Sequence, residues 1–320
     1  MGLFLLKRLL TLMATLLGAS AVVFLVLEIL PGNAAQMLMG PDASPEAVAA
    51  LATKLGLDQP ALQRYGDWIG GLLVGNMGES YAYSTPVLDL VLERLALTIP
   101  LALLAMLITA VLALLAGVYA ASRHNRWGDV GVMALAQIGI AIPNFWFAIL
   151  LILLFSVKLQ WFSAGGFPGW TQASGGSPLE ALKALLLPAI ALAVVQAAIL
   201  ARITRSAVLD VLREDFVRTA RAKGLSPRAA LWAHVLRSAM SPVVTVMGLQ
   251  FASLLAGTIV VENVFYLPGL GRLIFQSISN RDLIVVRNCV MLLAAMVIVV
   301  NFVVDVLYAV IDPRVKASDI

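Results

Sequence analysis

Charge is scarce in this chain. Only 12% of its 320 residues are Asp, Glu, Lys or Arg, against about 25% in a soluble domain. With 61% hydrophobic residues beside so little charge, the chain cannot cover a water-facing surface and is expected in a bilayer. Cysteine is nearly absent. Cys289 stands alone, which excludes a disulfide within the chain, and its place in or beside an apolar run makes the thiol inert filler. The two histidines, His124 and His234, have no Cys or carboxylate partners at metal-ligand spacing, so no metal is expected. No G-x-x-x-x-G-K-[ST] run occurs, and Gly269-Leu270-Gly271-Arg272 is too short to cradle nucleotide phosphates. H-E-x-x-H and G-x-S-x-G are missing as well, so no catalytic residue is assigned and the chain does not read as an enzyme. The net charge of +4 does not point to nucleic acid, because the basic residues flank apolar segments.

What is present is a series of long apolar runs. Lys7 and Arg8 precede Leu9 to Leu30, a run longer than a signal-peptide core of about 7–15 residues, and it reads as an uncleaved first span. Glu28 near its far end can snorkel to the interface. Pro31-Gly32-Asn33 ends that span. The segment to about Arg94 lies outside the membrane, with a helix start at Ser44-Pro45-Glu46, a stop at Gly56 and a turn at Leu57-Asp58-Gln59-Pro60. Trp68, Tyr81 and Tyr83 in it are membrane-interface aromatics or partner contacts.

Further spans are expected at about Ala96–Ala121, Val130–Val157, Ala184–Leu200, Val243–Val261 and Cys289–Ile311. The third contains Gly139 and Pro143, which invite a kink. The fifth carries Gly248, Ala252 and Ala256 at four-residue spacing, and Ser253 with Gly257 likewise, a pattern that lets helices approach closely. Lys158 to Lys183, rich in Gly, Ser and Pro, is an external loop. The fold class is therefore all-α, a polytopic membrane protein with six transmembrane helices and both termini on one side. Fourteen of the 22 basic residues fall on that side and eight on the other, over longer loops. The excess places both termini in the cytoplasm.

Ionisable residues inside the spans are few. A carrier driven by ions needs them, although each costs roughly 2.5–3.5 kcal/mol at mid-bilayer. Asp305, with Asn301 one turn before it, is the one candidate, and the paired broken segments of inverted repeats are not evident. An ion-coupled secondary transporter is the alternative reading. Channel activity has less support, because no filter-like run is present. Among the polar span residues, Asn144, Gln196, Gln250 and Asn301 are candidates for lining a translocation path, and the same residues are equally suited to joining helix to helix.

The chain is organised around Asp210 to Ser241, a charged stretch between the fourth and fifth spans. Its first half is a helix with Glu214 and Arg218 as an i,i+4 pair, stopped by Gly224. Ser226 caps a second helix with Pro227 at its first position. Leu225, Ala229, Trp232, Leu236 and Ala239 share one face of it, and His234 and Arg237 point away. Such an elbow is either a basic topogenic loop on anionic headgroups or a rigid element gripped by another protein.

The run Asp215-Phe216-Val217-Arg218-Thr219-Ala220-Arg221-Ala222-Lys223-Gly224 resembles the cytoplasmic loop of membrane subunits of bacterial ABC importers, which carries an E-A-A-x-x-x-G pattern. Arg218-Thr219-Ala220 stand where Glu-Ala-Ala would. That departure, and Pro242 eighteen residues past Gly224, resemble the dipeptide/oligopeptide branch. Leu55-Gly56-Leu57-Asp58-Gln59-Pro60, Gly75 to Ser80, Glu262-Asn263-Val264-Phe265 with Pro268-Gly269-Leu270-Gly271, and the ending Asp312-Pro313-Arg314 are similar to pieces of the same permeases.

The resemblance implies a type I ABC importer permease fold. Residues 1–95 would form a first span and periplasmic segment, and 96–320 a five-helix core holding the coupling helix at about 210–241. It implies a non-catalytic subunit of a binding-protein-dependent importer in the bacterial inner membrane. The cargo would be di- or oligopeptides by base rate, with nickel chelates, glutathione and opines as alternatives in the same family. Asp215, Arg218, Thr219, Ala220, Arg221, Ala222, Lys223, Gly224 and Ser226 would contact the ATPase. Glu262, Asn263, Pro268 and Gly269 would form a periplasmic gate or partner contact. Implied partners are a second, similar permease forming a heterodimer, two ATP-binding subunits holding ATP and Mg, a periplasmic substrate-binding protein and the lipid bilayer. This chain itself would bind no cofactor.

Overall fold

A computed structural model describes residues 2–29, 39–40, 43–54 and 56–311. The turn at Pro31-Gly32-Asn33, Leu55 and the ending Asp312-Pro313-Arg314 lie outside the described residues. Those that are described form helices and connecting turns, with no strand.

In chain order the helices are α1 (Gly2–Ile29), α2 (Pro45–Lys54), α3 (Ala61–Leu73), α4 (Val87–Ser122), α5 (Trp127–Ala141) and α6 (Asn144–Leu151). Then come α7 (Pro178–Leu212), α8 (Asp215–Ala222), α9 (Pro227–Val264), α10 (Leu270–Ser279) and α11 (Leu283–Ile311). Among the described residues five helices are long and apolar enough to cross a membrane, and six spans result when the bent pair α5 and α6 counts as one.

That third span is broken, where the sequence suggested only a kink. The two halves meet at 102°. Ile142 and Pro143 are extended, with ψ of 122° and 134°, because a residue before proline is pushed out of the helical region and proline has no N–H to continue the ladder. Asn144 then starts a fresh helix, which relaxes into a π-helical stretch over Ile152–Lys158.

Other spans run longer than their apolar runs, because capped polar turns extend them. Ser177 Oγ accepts from the Glu180 N–H at 3.3 Å with Pro178 at the first position. The fourth span therefore begins inside the segment expected to be loop, and α7 continues to Leu212. The amphipathic α10 has no counterpart among the elements expected from the sequence.

The centre is the pair α4 and α7. Gly117 allows their close approach: a Cβ there would lie 2.6 Å from Thr204 Cβ and 2.7 Å from the Ala201 carbonyl oxygen. α9 packs over both, and α11 sits against α9 at Gly248, where any added Cβ would strike Val304. Gly257, on the same small-residue pattern, faces Leu192 of α7. Ala252 is buried, whereas Ser253 and Ala256 are exposed, so the pattern serves two neighbours rather than one. α1 packs on α11 at the periphery and leaves Leu6, Leu10, Val22 and Val26 exposed, which suits a lipid-facing helix.

The outer segment is held to the core by polar contacts. Asp282, fully buried, accepts from Ser80 Oγ at 2.6 Å and the Ala82 N–H at 3.1 Å while capping α11 through the Val285 N–H. Trp68 is only 5% exposed and donates its indole N–H to Asn288 Oδ1 at 2.9 Å. It is thus an internal anchor, neither an interface aromatic nor a partner contact. Glu28 is ion-paired with Arg64, and Asp305 with Arg8 at 3.0 Å.

Gly117→Leu is expected to wedge α4 from α7 at a cost of about 1–3 kcal/mol, read as a drop in the thermal melting of the detergent-purified chain. Gly131→Ala, where nothing lies within 4 Å, serves as the control. Equal melting of the two variants contradicts the packing described.

Candidate functional site

The charged stretch between α7 and α9 folds as a hairpin of helices at one end of the bundle. α7 ends at Leu212, and Glu214 is the extended cap of α8. The expected Glu214–Arg218 pair does not form, because Glu214 is outside the helix. Arg218 instead meets Asp215 at 3.2 Å, one turn back and well exposed. Gly224 has φ +97°, the left-handed conformation. It lets the Gly224 N–H reach the Arg221 carbonyl and the Leu225 N–H the Ala220 carbonyl, closing the last turn of α8. Ser226 Oγ accepts from the Ala229 N–H at 3.2 Å with Pro227 at the first position, as the sequence indicates.

The buried face of the second hairpin helix differs from the expected one. Ala230, Leu231, Val235 and Ala239 face inward, whereas Ala229 is exposed and Trp232 is 62% exposed. Leu231–Val235 is a π-helical turn. Its extra residue shifts the phase, so positions counted back from Ala239 at 3.6-residue spacing miss the face. His234 and Arg237 are exposed as expected.

Of the coupling candidates, Asp215, Arg218, Thr219, Arg221, Ala222, Lys223, Gly224 and Ser226 are exposed and Ala220 is half-buried. They fall on α8 and on the turn into the next helix. Val217, 1% exposed, is the contact that α8 makes with the core, in a cluster with Val118, Leu200, Val208, Leu231 and Val235.

A second device steadies the same end. Arg205 of α7 forks onto Asp129 of α5, Nε to Oδ1 at 2.5 Å and Nη2 to Oδ2 at 2.7 Å. Asp129 also accepts from the Asn125 N–H at 3.0 Å and lies 3.4 Å from His124 Nδ1. A bidentate guanidinium–carboxylate pair sets orientation as well as distance. Sequence reading passed over both residues, since the partners are 76 positions apart. The signal available was an Asp in the first turn of a span and an Arg within an apolar run.

At the other end of the bundle, Glu262 is 0% exposed. Its Oε1 accepts from Thr98 Oγ1 at 2.6 Å, and its Oε2 from the Gly271 N–H at 2.7 Å and the Arg272 N–H at 3.3 Å. Thr98 Oγ1 in turn accepts from the Leu270 N–H at 2.9 Å. One carboxylate thus joins α9, α4 and the start of α10, where free N–H groups and the helix dipole favour a negative charge. A side chain at Gly269 or Gly271 would collide with Glu262, which gives the P-G-L-G run a steric reason. Asn263 bonds back onto its own helix, donating to the Ile259 carbonyl at 2.7 Å, and the Pro268 carbonyl accepts from Arg94 at 3.4 Å.

Of the four path candidates, Gln196 and Gln250 are hydrogen-bonded neighbours. Gln250 donates to the Gln196 carbonyl at 3.1 Å, joining α9 to α7. Among the described residues no hydrogen bond ties Asn144 or Asn301 to that pair, and Asn301 Oδ1 is buried without a partner. A cavity of about 380 Å³ beside Gly248 is lined by Met106, Thr245, Phe251 and Val300, and none of the four lines it.

Glu262→Ala is expected to strand three donors, at roughly 1–3 kcal/mol for each buried unpaired group. Melting should fall markedly, and less for Glu262→Gln, which keeps an acceptor. An Ala variant as stable as the parent chain contradicts the assignment.

Residues 113–317 match the family model described as the binding-protein-dependent transport system inner membrane component, and residues 1–102 match its N-terminal counterpart. The chain is 43% identical over 311 residues to a peptide transport system permease protein of Brucella abortus (strain 2308), covering 97% of this chain and 98% of that one. It is 41% identical over 339 residues to the di/tripeptide transport system permease protein DppB of Pseudomonas aeruginosa (strain UCBPP-PA14), with 98% of each chain covered. A solved inward-facing structure of a methionine ABC transporter is similar over 70% of this chain and 96% of its own, with TM-score 0.54 and 18% identity, a likeness of fold. The chain belongs to the family of binding-protein-dependent inner-membrane permeases, the membrane subunits of ABC importers.

Proposed function

We propose that this chain forms half of a translocation path for di- or oligopeptides and is driven through its α8 hairpin by separate ATP-binding subunits. The observation that carries the reading is the exposed surface from Asp215 to Ser226, fastened to the bundle through Val217. A lever needs a face free to be gripped and a root that does not slip, and the hairpin has both.

The charge distribution supports a cytoplasmic hairpin and cytoplasmic termini. ATP and Mg belong to the partner subunits, consistent with the lack of a phosphate-binding loop in this sequence. A second permease, as a heterodimer, would supply the other half of the path, and a periplasmic binding protein would deliver cargo on the side of α3 and α10. The core would run from about residue 96, with α1 and the outer segment as an amino-terminal addition. Cargo choice rests with the binding protein, and glutathione, nickel chelates and opines are alternative cargoes. The pairing of Asp305 with Arg8 weighs against an ion-coupled carrier, since it gives that carboxylate a local partner.

In this mechanism, closure of the ATPases moves α8 as a body. Asp129–Arg205 and the apolar root pass the displacement to α5 and α7, and the spans switch from inward-open to outward-open. Glu262, Asn263, Pro268 and Gly269 would act where the opposite end parts. Asn144, Gln196, Gln250 and Asn301 remain candidates for the path wall.

Gly224→Val tests the lever. A β-branched residue forced to φ +97° strains the turn by roughly 1–3 kcal/mol and tilts α8 without touching the core. The variant should insert and assemble at parental levels, hydrolyse ATP, and lose at least tenfold in peptide uptake by proteoliposomes. Normal uptake contradicts the proposal.

A further inference from the structure

Two cavities meet where the outer segment docks on the bundle. One is a groove of about 270 Å³ between α1, α3 and α11, walled by Met13, Leu17, Leu72, Met291 and Leu292. It is apolar, and Leu17 and Leu73 at its mouth are exposed. The other, about 300 Å³, is walled by Arg64, Asp67, Trp68, Tyr81 and Arg287. Met77 lines both. The seam is rigid: Asn288 accepts from the Trp68 indole at 2.9 Å and donates to the Met77 carbonyl at 2.7 Å.

The charges around the polar cavity are not all spoken for. Arg64 is ion-paired with Glu28. Arg287 stacks on the Trp68 ring at 4.7 Å, forms no ion pair among the described residues, and has a buried Nε without a hydrogen-bond partner. Asp67 likewise has no ion pair among the described residues. A guanidinium held against an aromatic wall and half out of water is costly to leave without an anion. Guanidinium also suits a phosphate better than an ammonium would, because its donors form a planar fork.

A water-soluble anion would satisfy Arg287 and leave the groove empty. An acyl chain would fill the groove and leave Arg287 bare. One molecule that does both has an apolar tail and a phosphate within a few ångströms of it. We propose that these joined cavities are a phospholipid site, with the phosphate on Arg287, an acyl chain between α1, α3 and α11, and the lipid drawn from the leaflet on the side away from the α8 hairpin. The free Asp67 carboxylate brings the wall close to neutral, which suits a zwitterionic phosphoethanolamine headgroup. The lipid would cement α3 to α1 and α11, the junction where the outer segment meets the membrane. The proposal rests on the membrane reading of these helices and is independent of what drives transport or what is carried.

The test uses the full chain purified with its partner subunits, stripped of lipid in detergent and followed by native mass spectrometry. Dioleoyl phosphatidylethanolamine should add as one saturable ligand per copy of this chain. Arg287→Gln should weaken that binding at least tenfold, and so should Leu17→Trp, which fills the groove from the far end. Replacement of the exposed Lys158 by Gln should leave it unchanged. Dioleoylglycerol, lacking the phosphate, and glycerophosphoethanolamine, lacking the chains, should each bind at least tenfold more weakly than the whole lipid. Unaltered binding by Arg287→Gln overturns the proposal, as does equal binding of dioleoylglycerol, or displacement of the lipid by glycerophosphoethanolamine at the same concentration. Should Arg287→Gln fail to assemble, Leu17→Trp and the two truncated ligands decide the matter.

Discussion

The burial of Val217, Leu231 and Val235 in the end of the bundle is the contact on which the functional reading depends. Val217 and Val235 are at most 1% exposed and Leu231 is 8% exposed, so their apolar surface is hidden behind their neighbours. Each contributes about 1.5–3 kcal/mol when fully covered. Without them α8 would be a tethered peptide, and a force on Lys223 would stretch a loop rather than move a helix. With them, α8 shares one apolar cluster with α4, α7 and the base of α9. The Asp129–Arg205 fork adds α5 to the same body, so the end that carries the hairpin is tied to four spans.

The far end is built on another logic. There the joint is polar, a single buried carboxylate serving Thr98 and two backbone N–H groups. Apolar packing tolerates small slips, whereas a carboxylate with several hydrogen bonds has one good geometry. An apolar root at the hairpin end and a polar latch at the opposite end suit a molecule with two arrangements of its spans. The two glycines pressed against Glu262 hold the latch to side-chain-free backbone, and no bulkier residue would let α10 start there.

Much of this was legible in the sequence, and the rest was hidden for identifiable reasons. Gly224, Ser226 and Pro227 announced the hairpin turn because their conformations are local, and the spans were readable because apolar length is additive along the chain. The phase of the second hairpin helix was not, since the π-helical turn at Leu231–Val235 breaks the regular period and nothing in the residue types marks it. Trp68 looked like an interface aromatic because its partner, Asn288, lies 220 positions away. Glu262 could be noticed as a charge at a span end, but its role required knowing that Thr98 and the start of α10 converge on it. Gln250 is bonded to the Gln196 carbonyl of the neighbouring helix, a partner that polarity alone does not name.

The proposed function requires an α8 hairpin that faces the cytoplasm and is gripped there by separate ATP-binding subunits. Cys289 is buried and is the chain's only cysteine, so a Cys289→Ser background allows a single reporter, Lys223→Cys, to be read without interference. A membrane-impermeant maleimide should label that cysteine in inside-out vesicles and not in intact spheroplasts, and bound ATPase subunits should protect it. Labelling from the outer face of spheroplasts would put the hairpin on the wrong side of the membrane for such a motor.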